Sequence, residues 1–144
     1  MEKRDEAGVE TTAIAELVSL DGKRVLDVGC GEGRLTILAA ERAATVYAFD
    51  PNAENVAAAR SALTSEQRKR VRFAVHDAEA LDLARDRFDV VVSNGVIDLV
   101  PDKDAVFAEV YRVLAPGGRM QIADVTIQNP VSEEGRRKID LWTG

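Results

Sequence analysis

Between Arg24 and Thr36 the chain reads Arg-Val-Leu-Asp-Val-Gly-Cys-Gly-Glu-Gly-Arg-Leu-Thr. A short apolar run with β-branched residues breaks at glycines in alternate positions, Gly29, Gly31 and Gly33. It then passes into a helical pattern carrying Leu35, Leu38 and Ala39. Strand, glycine-rich turn and helix together bring a backbone close to a small polar ligand, because glycine has no Cβ and reaches positive φ. A plain strand-to-helix connection is the alternative. Three alternating glycines with Asp27 ahead of them favour the ligand.

The rest of the chain repeats that strand-and-helix alternation, and 144 residues allow one domain, 1–144, with a real core. A first helix is expected over Val9–Leu20, with Val9, Ala13, Leu17 and Leu20 on one face, Ile14 and Val18 beside it, and Asp21-Gly22 ending it. Strands are expected at Arg24–Val28, Thr45–Phe49, Val71–Val75, Phe88–Ser93 and Arg119–Gln128. The helices between them run over Gly33–Ala43, from the cap Asn52 through Val56, Ala59 and Leu63, and from the cap Asp102. The buried stripe of that last one is Val106, Phe107, Val110, Val113 and Leu114, and Pro116-Gly117-Gly118 stops it. Thr64–Arg70 reads as a solvated connection, 78–87 as a short helix or turn at most, and 94–101 as a loop. Ser132 could cap a final helix ending near Trp142. The pattern predicts an α/β fold, a Rossmann-like doubly wound parallel sheet of order 3-2-1-4-5.

Nineteen Lys and Arg against 25 Asp and Glu give a net charge of −6. That disfavours long-range attraction to nucleic acid or an anionic membrane, while leaving room for a local basic patch. One cysteine and one histidine exclude an intrachain disulfide and a Cys/His metal cluster. With no bilayer-length apolar run and a charged start, Met-Glu-Lys-Arg-Asp-Glu, the expected location is cytoplasmic and the expected partner a small molecule.

In such sheets ligands sit beyond the carboxyl ends of the strands. Those ends carry Asp27 with the glycine turn, then Asp50, His76-Asp77 and Ser93-Asn94. An acid about 20 residues after the glycines suits ribose hydroxyls, and Asp50 stands at that distance. The dinucleotide fingerprint does not fit: Gly33 comes one position early and Arg34 takes the third glycine's place. No Gly-Lys-Ser/Thr follows, so the P-loop fails too.

The spacing Asp27-x-Gly29-x-Gly31-x-Gly33 resembles the first motif of class I S-adenosylmethionine-dependent methyltransferases. Asp50-Pro51, His76-Asp77-Ala78, Phe88-Asp-Val-Val-Val-Ser-Asn94 and Leu114-Ala-Pro-Gly-Gly118 match later motifs in the family's order. The resemblance implies S-adenosyl-L-methionine as cofactor. It gives Asp27 the ammonium side, and gives Gly29, Cys30, Gly31 and Gly33 close approach to the methionine part. Asp50 takes the ribose, Pro51 lies against adenine, and Asp77 with Ala78 meets the adenine amino group. Asn94 lies beside the transferable methyl and is the candidate catalytic residue. Cys30 otherwise reads as packing, and His76 as a strand-end histidine. Arg136-Arg-Lys138 reads as a solvated face and Trp142 as an anchor.

Ser93-Asn-Gly-Val-Ile-Asp-Leu-Val-Pro-Asp-Lys103, Gln121-Ile-Ala-Asp124, Pro130-Val-Ser-Glu-Glu134 and Asp140-Leu-Trp-Thr-Gly144 narrow the resemblance to arsenite methyltransferases. That subfamily holds trivalent arsenic through several cysteine thiolates, soft ligands for a soft ion. Here the one cysteine is Cys30, so the ancestry carries over and the thiolate site does not. The family's sheet closes with an antiparallel hairpin after the fifth strand, which this sequence lacks. The strand 119–128 is then an open edge, a template for pairing, and a homodimer through it or the last helix is expected. The expected function is methyl transfer to a small-molecule acceptor. The alternative is a cofactor-binding or regulatory fragment without catalysis.

Overall fold

The computed structural model describes residues 8–124 and 132–134. In chain order the elements are α1 (Val9–Leu17), β1 (Arg24–Val28), α2 (Arg34–Ala40), β2 (Thr45–Asp50), α3 (Ala53–Ala62), α4 (Ser65–Arg68), β3 (Val71–Val75), β4 (Phe88–Asn94), a 3-10 turn (Ile97–Leu99), α5 (Lys103–Val113) and β5 (Leu114–Ala123). The strands form one parallel sheet in the order β3-β2-β1-β4-β5, as the alternation predicts.

Side chains alternate across a strand, and the core divides accordingly. Val25, Val46, Val71, Val90 and Val92 face one way, against Ile14, Val18, Leu35, Ala39 and Leu63 from the α1–α3 side. Leu26, Val28, Phe49 and Val91 face the other, against Val106, Val110 and Val113 of α5 and against Leu81 and Leu83. A valine or leucine removed from water there contributes about 2 kcal/mol. β1 and β4 are buried almost throughout, as central strands covered on both faces must be.

Differences from the sequence reading have local causes. The first helix stops at Leu17, and Val18 is already extended. Its buried side is Thr11 and Ile14, while Leu17 (70%) and Val9 (67%) are exposed, so the stripe read from Val9, Ala13 and Leu17 points to solvent. Thr64–Arg70 holds the short helix α4, nucleated by a reciprocal capping box between Thr64 and Gln67. Phe107 is 42% exposed rather than part of α5's buried stripe. The fifth strand begins at Leu114, five residues before the expected Arg119, because Pro116-Gly117-Gly118 forms a bulge within it: Phe88 faces Leu114 and Val90 faces Arg119. Its expected continuation over 125–128, and most of the helix after Ser132, lie outside the described residues.

The segment 78–87 joins no ladder, yet several of its backbone groups find partners on α5. Arg112 donates to Leu83 O (2.7 Å) and Leu81 O (2.9 Å), and Glu109 accepts from Leu81 N–H at 2.8 Å. Arg112 and Glu109 also bond each other at 2.8 and 2.9 Å. Two charged side chains of α5 thus replace a neighbouring strand for this stretch.

Candidate functional site

Parallel strands bring the carboxyl ends of β1, β2, β3 and β4 to one edge. Asp27 and the glycine turn, Asp50-Pro51, His76-Asp77-Ala78 and Asn94 all stand there.

Asp50 is the hub. Its Oδ2 accepts Gly31 N–H at 3.0 Å; its Oδ1 accepts Asn52 N–H at 2.9 Å and Asn55 Nδ2 at 3.3 Å. The turn is further stitched to β2 by Cys30 N–H to Phe49 O at 2.9 Å, and β3 by His76 N–H to Asp50 O at 3.3 Å. A carboxylate offers about four acceptor positions. Three are used within the chain, which leaves capacity for one more donor.

The three glycines do different work. A Cβ on Gly29 would fall 2.3 Å from Val96 Cγ2, and one on Gly33 would fall 2.8 Å from Ala59 Cβ of α3. At Gly31, with φ +51°, a Cβ would meet nothing within 4 Å. Gly29 and Gly33 therefore admit neighbouring protein, and Gly31 faces open space between Asp50 and the turn.

Asp27 is 1% exposed, and its Oδ2 accepts the Thr36 hydroxyl at 2.6 Å. Burial pushes its carboxyl up to about 6; the Thr36 bond opposes this, and the charge of Asp50 adds to it. The ordinary value is 3.8, so from about pH 4 to pH 6 the folded chain keeps a proton that the unfolded chain releases. This group's stabilisation is full below that window and is lost as pH rises through it, by about 3 kcal/mol. Asp89 titrates the opposite way, since the Arg24 bonds hold it down at about 2. The stability difference between wild type and Asp27→Asn, measured by urea denaturation at pH 4 and pH 7, isolates the effect. It should swing in favour of the variant at pH 7, and an unchanged difference would show that Asp27 titrates normally.

Cys30 is buried, and its thiol is pushed up to about 12, first by burial and then by the charges of Asp27 and Asp50. It is a packed thiol with its Sγ 3.6 Å from Gly31 O, and not a thiolate ligand.

Pro51 and Asp77 are exposed at the rim, while Ala78 is buried among Leu81 and Leu83. His76 is half-buried with its ring edge-on to Phe49, centroids 6.3 Å apart. Asn94 is half-buried, and its carboxamide bonds no described residue. The backbone beyond it is fixed by Gly95 N–H to Ala123 O at 2.8 Å.

Sequence reasoning missed Thr36, Asn55 and Val96. Thr36 had a signal, being the one polar residue in the buried set Leu35, Thr36, Ala39 and Ala40 of α2. Val96 had none, since nothing in its neighbours specifies that it lies over Gly29.

Residues 19–142 match a family described as a methyltransferase domain. The chain is 39% identical over 134 residues to the arsenite methyltransferase of Aquipseudomonas alcaligenes, covering 85% of this chain and 38% of that protein. It is 38% identical over 118 residues to the ubiquinone biosynthesis O-methyltransferase of Pseudomonas entomophila, covering 81% and 50%. It resembles the solved structure of CrArsM, an arsenic (III) S-adenosylmethionine methyltransferase from Chlamydomonas reinhardtii, with a TM-score of 0.73 and 34% identity over 86% of this chain and 46% of that one. The chain thus spans between 38% and 50% of the length of these relatives.

Proposed function

We propose, for a chain that belongs to the methyltransferase-domain family, that it binds S-adenosyl-L-methionine at the carboxyl edge of the sheet and supports methyl transfer to a small-molecule acceptor. The observation that carries this reading is the Gly31 N–H bond to Asp50, which joins the glycine turn and the acid end of β2 into one cradle with open space above Gly31. The donor set suits the cofactor: it has hydroxyls and an amino group that donate, and cationic centres that carboxylates favour.

When bound, the cofactor supplies a methyl group on a positively charged sulfur, already activated for displacement. The residues then mainly position and polarise. Asp50 would accept a ribose hydroxyl with its remaining lone pair. Pro51 would offer a flat apolar surface to adenine, and Asp77 with the backbone of Ala78 would take the adenine amino group. Gly29, Cys30, Gly31 and Gly33 shape the wall against the methionine part. Asp27, ionised by the approach of a cation, would balance the ammonium end. Asn94, its carboxamide uncommitted, would orient the acceptor beside the methyl.

The acceptor is set only at the level of a small molecule. Two relatives of similar identity act, by name, on arsenite and in ubiquinone biosynthesis. Within this chain the sole cysteine is the packed Cys30, so thiolate capture of arsenic finds no support in its own residues. Calorimetry with S-adenosylmethionine should show one saturable site, and preference for NAD would overturn the reading. Transfer of labelled methyl to arsenite or a quinol-precursor panel then separates an enzyme from a cofactor-binding fragment.

Pairing of two copies through β5 is part of the proposal. Among the described residues β5 has a strand neighbour on one side only, β4. A monomeric mass at micromolar concentration in sedimentation would remove this part. No helix among the described residues is long and apolar enough to cross a membrane.

A further inference from the structure

Because all five strands run the same way, the residues at their starts share the edge opposite the glycine turn. The carboxyl edge gathers Asp27, Asp50 and Asp77. The amino edge is basic: Arg24 opens β1, Lys69 and Arg70 precede β3, Arg72 lies within it, and Arg87 precedes β4. These five cations, with the rings of Tyr47 and Phe88, line a cavity of about 380 Å³.

Two of the five are engaged. Arg24 grips Asp89 through contacts of 2.9 and 3.0 Å, and Lys69 meets Glu66 at 2.6 Å. Among the described residues no carboxylate pairs with Arg70, Arg72 or Arg87. The Arg72 guanidinium reaches the carbonyl of Val71 at 3.4 Å. Arg87 lies over the rings of Tyr47 and Phe88, 5.6 and 5.7 Å from their centroids. Helix dipoles do not account for the cluster. Arg24, Arg72 and Arg87 belong to strands or their approach, and the nearby α4 has four residues. In a chain of net charge −6, three uncompensated guanidinium groups around one concavity run against the overall charge.

The cavity is of small-ligand size rather than a track for a polymer. Its polar lining is almost wholly donors, and Arg87 is already held by stacking, so less side-chain freedom is lost when it meets an anion. We propose that the amino edge of the sheet is a second binding site, taking a small anion with two or more phosphate or carboxylate groups.

Titration calorimetry of the full chain with inorganic pyrophosphate and, separately, with citrate tests this. One saturable site for either anion is expected; tighter pyrophosphate marks a phosphate ligand, tighter citrate a polycarboxylate. Arg70→Gln combined with Arg72→Gln should weaken binding by at least about tenfold, with the melting temperature unchanged. Absence of saturable binding at low salt, equal affinity in the double variant, or binding of a ten-nucleotide strand when neither small anion binds would overturn the proposal.

Discussion

Asp50→Ala is expected to weaken S-adenosylmethionine binding by about a hundredfold or more and to destabilise the fold by about 3 kcal/mol. The two losses share an origin. The carboxylate receives Gly31 N–H, Asn52 N–H and the Asn55 amide. Truncation leaves these donors beside a void where Asp50 is now 7% exposed. Hydrogen bonds to a charged acceptor are worth roughly 1.5–3 kcal/mol each, and water entering the gap recovers part of that. Asp50→Asn keeps one acceptor oxygen and one side of the brace, so its stability should fall between wild type and alanine. Calorimetry and urea denaturation measure the two effects. An alanine variant that binds within about twofold of wild type and unfolds at the same urea midpoint would sink the role given to Asp50.

An effect on the fold of comparable size is expected from Gly33→Val. Gly33 has φ +90°, and a Cβ there would sit 2.8 Å from Ala59 Cβ and 3.1 Å from Ala59 Cα. Ala59 is fully buried, and its Cα belongs to the backbone of α3, so the contact cannot be relieved by a rotamer change. A left-handed conformation costs a side chain about 1–2 kcal/mol, and overpacking a core typically adds about 1–3. The sum, about 2–5 kcal/mol, is a large share of the stability of a small domain. Ala59→Gly in the same chain should relieve the contact with Ala59 Cβ and leave both the contact with the α3 backbone and the cost of the left-handed φ. Gly31→Ala, with φ +51° but nothing within 4 Å of the added Cβ, is the control: it should lose only the backbone part, about 1–2 kcal/mol, yet obstruct the open side of the turn. If Gly33→Val and Gly31→Ala lower the urea midpoint equally, the packing assigned to Gly33 is wrong.

The sheet was readable because its signals are local. Val90–Val92 is a continuous apolar run and Val25–Val28 is apolar apart from Asp27, both bounded by turn residues as a strand buried on both faces would be, and Asn52 and Asp102 cap the helices they were expected to cap. Positions failed where tertiary packing decides. Which face of α1 is buried depends on where Val18 and Leu20 turn into the core, and both lie beyond the helix end at Leu17. The β5 start was hidden because a Pro-Gly-Gly sequence reads as a stop, whereas a bulge lets the ladder continue through it. At the site, the positions of Asp27, Asp50 and Asp77 followed from strand ends. That Asp50 is largely occupied by its own chain did not, since the turn's backbone direction is needed to see it.

Val96 lies over Gly29 closely enough that no other residue fits beneath it. It stands two residues beyond Asn94, on the side proposed to meet the acceptor. The loop after β4 and the glycine turn are therefore packed against each other as a latch, so that displacing one uncovers the other. Such a latch imposes an order on events. Disturbance of the loop proposed to meet the acceptor should register first as a change in how fast cofactor enters and leaves, before any change in the transfer step.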